Sequence, residues 1–208
     1  FSAYELMKLN PSLKVAVLEA GRPLSGRKCP IDGKKIKNCI GCSPCSIMNG
    51  FGGAGAFSDG KYNITNNFGG TLYEYIGKDE ARSLMRYVDE INLNMGGLGT
   101  KLYSTSNSKI KTLCVQNNLH LLDASVRHLG TDINYVVLQN LYDTLKDKVD
   151  FHFLAAVEKV EKTDSGYRLY TNKEAFEGKQ SIISGGRSGS KWMEDVCKEL
   201  EKPTTSNR

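Results

Sequence analysis

Lys14-Val15-Ala16-Val17-Leu18-Glu19-Ala20-Gly21 is a nearly unbroken apolar run that closes on a carboxylate and a glycine. An apolar run this short, bounded by turn residues, reads as a buried strand. Ahead of it, Phe1-Ser2-Ala3-Tyr4-Glu5-Leu6-Met7-Lys8-Leu9 sets Ala3, Leu6 and Met7 at helical spacing, and Asn10-Pro11 stops the helix. A helix followed by a buried strand ending in Glu is the back half of a dinucleotide-binding βαβ unit, in which the acidic side chain accepts hydrogen bonds from a ribose hydroxyl. The front half, a strand and a G-x-G-x-x-G turn, would precede Phe1. A carboxylate that merely ends a strand at the surface is the plainer alternative for Glu19.

Residues 50–61, Gly50-Phe51-Gly52-Gly53-Ala54-Gly55-Ala56-Phe57-Ser58-Asp59-Gly60-Lys61, string five glycines among small residues. Glycine loses the most conformational entropy on folding, so this density suits a loop whose main chain must approach a ligand closely. Bare backbone N–H groups form a concavity for anions or for the polar edge of a flat cofactor. Two phenylalanines and the Ser58-Asp59-Gly60-Lys61 ending distinguish it from a flexible linker.

With 208 residues the chain has room for one large domain or two small ones with a real core. The hydrophobic fraction is 39% and 21 residues are glycine, so the fold should be rich in loops. The net charge of +5 concentrates in Arg27, Lys28, Lys34, Lys35 and Lys37. These residues could contact phosphates, but no aromatic residue lies between Arg22 and Gly50 to stack on bases, which argues against nucleic acid as a partner. No apolar run reaches the length of a membrane span and the N-terminus does not read as a secretion signal, so the expectation is a soluble cytoplasmic protein without membrane contact.

In that setting six cysteines read as thiols or metal ligands rather than disulfides. Cys29, Cys39, Cys42 and Cys45 follow C-x9-C-x2-C-x2-C. This spacing suits three corners of an iron–sulfur cluster with Cys29 as the fourth ligand, a four-sulfur zinc site, or a set of redox-active thiols. Nearby cations would lower the thiol pKa values. Cys114 and Cys197 fall on apolar helical faces and are expected in the core.

Further along, residues 62–71 look polar and irregular. A helix is expected over 78–95 with Ala81, Leu84, Met85, Val88, Ile91 and Met95 as its core stripe, ended by Gly96-Gly97. Another is expected over 108–117, then a short strand at 120–122. Residues 127–132, Arg127-His128-Leu129-Gly130-Thr131-Asp132, read as a turn that gathers groups able to touch a substrate. A helix over 132–146 would start on Asp132 as N-cap and bury Ile133, Val136, Val137, Asn140, Leu141 and Leu145. Strands at 151–153, 156–162 and 167–171 follow, with a hairpin signal at Asp164-Ser165-Gly166, then a strand at 180–184, a Gly185-Gly186 turn and a helix bearing Trp192, Met193, Val196, Cys197 and Leu200.

The segments FSAYELMKLNPSLKVAVLEAGR, RKCPIDGKKIKNCIGCSPCSIMNGFGGAGAFSDGK, RHLGTD and SGGRSGSKWME together resemble uncharacterised FAD-dependent dehydrogenases that are distantly similar to glutathione-reductase-type flavoproteins. The resemblance implies an α/β fold: a Rossmann-like FAD-binding domain, incomplete at both ends, with an inserted mainly helical region and a β-hairpin segment. Its expected boundaries are 1–76 for the partial FAD-binding domain, 77–150 for the insertion and 151–208 for the return. It implies flavin-mediated electron or hydride transfer with a small-molecule or protein redox partner. Glu19 and Arg22 would serve the adenosine and pyrophosphate end of FAD, and Val157 would lie against the adenine. Gly52, Gly53, Ala54 and Gly55 would offer backbone donors, Ser58, Asp59 and Lys61 would face the flavin ring, and Gly185 and Gly186 would also touch the cofactor. The G-x-G-x-x-G turn would end just before Phe1; without it these residues would hold FAD weakly and the strand at 15–18 would keep an unpaired edge. The competing expectation is a non-catalytic metal-binding protein that meets nucleic acid through its basic residues.

Overall fold

The computed structural model describes residues 1–205. In chain order its first elements are α1 (Ser2–Leu9), β1 (Ala16–Glu19), β2 (Lys61–Ile64), a one-turn α2 (Tyr73–Ile76), α3 (Lys78–Asn92), β3 (Leu102–Ser104) and α4 (Ser108–Gln116). They continue with β4 (Ser125–His128), α5 (Thr131–Leu145), β5 (Asp150–Phe153), β6 (Val157–Thr163), β7 (Gly166–Thr171), β8 (Ala175–Gly178) and α6 (Ser190–Glu199). The fold is mixed α/β, with one parallel pair and two antiparallel sheets among the described residues. It divides into two compact units: Phe1–Gly53 with the chain from Lys148 onward, and Ala54–Asp147. The first boundary therefore falls inside the glycine-rich stretch rather than near residue 76, because the backbone after Gly53 is fastened to α5. The second falls between Asp147 and Lys148.

In the first unit, β1 and β5 run parallel, Ala16 opposite Asp150 through Glu19 opposite Phe153. Their pairing joins residues more than a hundred positions apart and puts Glu19 and Phe153 at the same carboxyl end. β6, β7 and β8 form an antiparallel sheet in that order. The hairpin at Asp164-Ser165-Gly166 forms as expected, and Gly166 is required there: at φ 153 a Cβ would stand 2.2 Å from the Gly178 carbonyl oxygen. β8 was not expected, since Ala175-Phe176-Glu177-Gly178 carries one large apolar residue and its partner β7 supplies the ladder. Conversely, residues 180–184 join no described ladder, and Ile182 is 63% exposed. An apolar run makes a strand only where a neighbouring backbone offers hydrogen bonds, and none is aligned with it here.

In the second unit, β4 lies between β2 and β3, antiparallel to both. This corrects three expectations. Residues 61–64 are a strand rather than irregular chain, the strand expected at 120–122 forms instead at Ser125–His128, and β3 is an addition. Residues 127–132 are consequently not a turn but the end of β4, a two-residue link and the start of α5. α3 runs into a wider turn at Leu93–Gly97, where Gly96 takes φ 125, so the glycine pair ends the helix as expected. Ala81 and Ile91 are buried as the stripe required, but Leu84 is exposed and Asp89 and Asn92 are buried. α5 starts at Thr131 after Gly130, with Asp132 in its first turn rather than at the cap, where its charge still favours the positive helix end. Its buried face is Asn134, Val137, Leu138, Leu141 and Leu145, which leaves Ile133, Val136 and Asn140 exposed. Cys114 and Cys197 are only half-buried, and α4 buries no residue.

The interior of this unit turns on one ion pair. Arg127 Nε donates to Asp89 Oδ1 at 2.8 Å and Nη2 to Oδ2 at 2.7 Å, with both side chains about nine-tenths buried, and Nη1 reaches the Thr100 carbonyl at 2.7 Å. Asp89 holds the Arg127 pKa above its ordinary value, chiefly through these hydrogen bonds. Arg127 is thus a structural clamp between β4 and α3 rather than a substrate contact. Truncating one partner of a buried pair strands the other charge, so Asp89→Ala should lower unfolding stability by roughly 3–5 kcal/mol, measured as a reduced urea midpoint. A midpoint unchanged from wild type would show that the pair is solvated.

Candidate functional site

The carboxyl ends of parallel strands are where open α/β sheets leave room for ligands. At the ends of β1 and β5 the chain draws several of the expected residues together. Glu19 Oε1 accepts the Gly21 N–H at 2.8 Å, the Ala155 N–H donates to the Glu19 carbonyl at 3.0 Å, and the Leu154 N–H to that of Gly21 at 2.9 Å. Leu154 adopts a left-handed conformation, φ 54, which is uncommon for a residue with a side chain and marks a constrained corner directly after β5. Val157 opens β6 two residues beyond Ala155.

Gly21 is required by close approach. A Cβ there would stand 2.3 Å from the backbone nitrogen of Gly50, so the start of the glycine-rich stretch lies directly on the end of β1. Arg22 and Gly50 bridge as isolated parallel partners, the Phe51 N–H donates to the Arg22 carbonyl at 3.0 Å, and the Arg22 side chain is exposed. The turn before α6 reaches the same region, for the Ser188 hydroxyl donates to Asn49 Oδ1 at 3.4 Å. Gly185 packs beside Trp192, whose Nε1 donates to the Glu158 carbonyl at 3.2 Å. Glu19, Arg22, Gly52, Gly53, Val157, Gly185 and Gly186 therefore belong to connected segments of one unit. Gly53 and Gly186 sit at φ 63 and 62 with nothing within 4 Å of a built Cβ, so their glycine character serves conformation and leaves the backbone bare.

Arg27 organises this arrangement. It is 2% exposed, and its guanidinium donates to four carbonyls: Ser46 at 2.9 Å, Ile47 at 2.6 Å, Phe51 at 2.6 Å and Gly53 at 2.8 Å. Burial pushes its pKa down, opposed by the charges of Glu19 and Cys45, and a guanidinium still keeps its proton. Arg27 consequently leaves the basic set that could meet phosphates; Lys28, Lys34, Lys35 and Lys37 remain exposed. With its carbonyls turned to Arg27, the segment exposes the Gly52 N–H, which has no acceptor among the described residues.

The rest of the stretch belongs to the second unit. Ala54 begins a single 3-10 turn, Ala54–Phe57, and the N–H groups of Ala54 and Gly55 have no acceptor among the described residues. The buried Asn134 of α5 donates to the Gly55 and Ala56 carbonyls at 3.0 and 3.2 Å and accepts from the Tyr62 hydroxyl at 2.8 Å. The Ser58 hydroxyl is turned onto the Gly55 carbonyl at 2.7 Å. Asp59 and Lys61 pair with each other at 2.6 Å, and that contact comes first in holding the Asp59 carboxyl below its ordinary pKa. His128 is exposed, its ring 6.5 Å from that of Tyr103.

Sequence reasoning missed Arg27 and Asn134. Asn134 could have been found, since it shares the helical phase of Val137, Leu138 and Leu141 and an Asn on a buried stripe must bond to something. Nothing local marks Arg27 apart from its neighbour Lys28.

Cys42 and Cys45 are half-buried, Cys29 and Cys39 exposed. Among the described residues no three His, Cys, Asp or Glu side chains gather as a metal set. The Cys45 thiol is pulled below its ordinary pKa by hydrogen bonds from the Met48 and then the Ile47 N–H, aided by the Arg27 charge and opposed by burial. Comparison with known protein families, characterised proteins and solved structures finds no match for this chain.

Two outcomes follow. Arg27→Met keeps much of the volume but leaves four carbonyls without a donor, at about 1–3 kcal/mol for each that stays dry, so amide exchange over residues 45–53 should accelerate well before global unfolding. Protection equal to wild type there would deny Arg27 its role. The depressed Cys45 pKa means that its thiolate persists to lower pH than an ordinary cysteine near 8.5. Iodoacetamide labelling followed by peptide mapping should give Cys45 a pH midpoint below that of a cysteine in an unstructured peptide, and coincident midpoints would contradict the assignment.

Proposed function

We propose that the protein is a flavin-dependent oxidoreductase whose first unit, a Rossmann-like nucleotide-binding framework, holds the adenosine diphosphate part of FAD at the carboxyl ends of β1 and β5. The observation that carries this reading is the packing of Gly21 onto Gly50, which brings the start of the glycine-rich stretch to the end of β1 beside the Glu19 carboxylate. The residues suit a dinucleotide. Glu19 commits Oε1 to Gly21 and can accept a ribose hydroxyl on Oε2. The Gly52 N–H offers a donor to an anion, and Gly185 and Gly186 bring open backbone ahead of α6, whose N-terminal end favours negative charge. The peptide at Val157 gives adenine a flat polar edge. When bound, the flavin supplies the hydride or electron transfer; the chain's own part is to bind, orient and exclude water.

No described helix is long and apolar enough to cross a membrane. Full-length protein, purified without added cofactor, should show flavin absorption in the near-ultraviolet and blue; a colourless protein that also fails to quench FAD fluorescence would end the proposal. Glu19→Gln keeps the shape and removes the charge, so FAD affinity should fall by roughly 1–3 kcal/mol, the range for a hydrogen bond to a charged group. An unchanged titration would remove Glu19 from the ribose while leaving the flavin intact.

A further inference from the structure

In the second unit, β2 and β3 are the two edges of the sheet and β4 its centre. β2 half-buries alternate side chains, whereas every residue of β3 is exposed, Leu102 at 45% and Tyr103 at 49%. The backbone of β3 is equally open. Beside the ladder the His128 N–H donates to the Lys101 carbonyl at 3.4 Å and the Thr105 N–H to the Ala124 carbonyl at 3.0 Å, in register with Tyr103 opposite Val126. Hydrogen-bonded pairs alternate with non-bonded pairs in an antiparallel ladder, so Lys101, Tyr103 and Thr105 turn their peptide groups to β4, and those of Leu102 and Ser104 point away from the sheet. The outward N–H groups and carbonyls of Leu102 and Ser104 have no partner among the described residues.

Side chains on this edge divide by face. The Lys101 ammonium lies 4.7 Å from the centre of the Tyr103 ring, and the His128 ring 6.5 Å from it, so these three share one face. Leu102 and Ser104 take the opposite face. The surroundings are cationic: residues 91–122 include Lys101, Lys109 and Lys111 and no Asp or Glu. Lys111 meets Asp123 at 3.3 Å, while Lys101 and Lys109 stand exposed. A lysine on an edge strand discourages a second copy of the same chain, because like charges would face each other across the new pair. A lipid surface offers nothing to outward N–H and C=O groups, which hydrocarbon leaves unsatisfied. An extended acidic polypeptide supplies both the missing backbone partners and the opposite charge.

We propose that the free edge of β3 binds an extended segment of a partner protein, in which acidic and apolar residues alternate, as an added antiparallel strand. Partner residues opposite Leu102 and Ser104 complete the ladder with their own N–H and C=O groups, and their apolar side chains cover Leu102. The partner residues between them turn to the other face, where their carboxylates meet the Lys101 ammonium beside Tyr103 and His128. The short edge limits the number of backbone bonds, so the exposed charge pair makes the contact sensitive to salt. This surface lies wholly within the second unit and needs no flavin.

Full-length protein is titrated at low salt into a fluorescein-labelled hexapeptide of alternating glutamate and valine, and binding is read by anisotropy. Saturable binding is expected. N-methylation of the valine amides, which meet Leu102 and Ser104, should weaken it about tenfold, whereas N-methylation of the glutamate amides should leave it within about twofold. A lysine–valine hexapeptide, and the Lys101→Glu protein with the original peptide, should each bind about tenfold more weakly. Far-ultraviolet circular dichroism checks that the variant is folded, and the peptide series on wild type decides the matter without it. No saturation at about 1 mM peptide would overturn the proposal. Equal losses from the two methylations would exclude an added strand, and equal affinity for the lysine peptide would exclude an acidic partner. A dimer seen by sedimentation and dissociated by Lys101→Glu would give the edge to a second copy, and flotation with phosphatidylserine vesicles lost in Lys101→Glu would give it to a membrane; either result overturns the assignment.

Discussion

A single buried guanidinium holds the first unit's loops in place. Four carbonyl dipoles take up donors of Arg27. A charge removed from water in this way is tolerated only when its N–H groups are satisfied, so the chain over residues 46–53 must keep its carbonyls turned inward. That constraint sets the path of the glycine-rich stretch and lays Gly50 on Gly21, beside the Glu19 carboxylate. It also fixes the turn that follows Cys45. The candidate nucleotide-binding edge and the turn after Cys45 therefore depend on the same side chain.

The second unit solves a similar problem with different partners. Its largest buried contributions include polar ones, the Arg127–Asp89 pair and Asn134, beside Val137, Leu138, Leu141 and Leu145. Burying such groups adds little net stability against an apolar interior, but each demands one partner geometry. Asn134 in particular ties α5 to the Gly55 and Ala56 carbonyls, so the second half of the glycine-rich stretch is anchored as firmly as the first. Glycine content there reflects backbone that must bend and stay bare, not backbone left loose.

Much of the element order was legible. α1, β1, α3, α4, α5, the β6–β7 hairpin and α6 all carry their own signals, apolar residues at a period of 3.6 or a turn dipeptide between alternating runs. The strands that escaped notice, β2, β3, β4 and β8, are three or four residues long and bury almost none of their side chains fully, so their ladders define them. The segment at 180–184 shows the converse, for its apolar residues are present but no described strand pairs with it. Within the candidate site, Glu19 and the glycines of residues 50–55 were visible in the sequence; in the second unit, the role of Arg127 as an internal clamp rather than a possible substrate contact was not.

Local periodicity and turn chemistry, which the chain carries within a few residues, determined by themselves where most helices lie, where β1 ends, and that residues 50–61 expose backbone. Only the tertiary structure decided which polar residues go inside and what they hold. Arg127 and Asp89 are 38 residues apart, and Asn134 and Gly55 are 79 apart. Hydrogen bonding and desolvation are settled by three-dimensional neighbours, and no pattern along the chain records those neighbours.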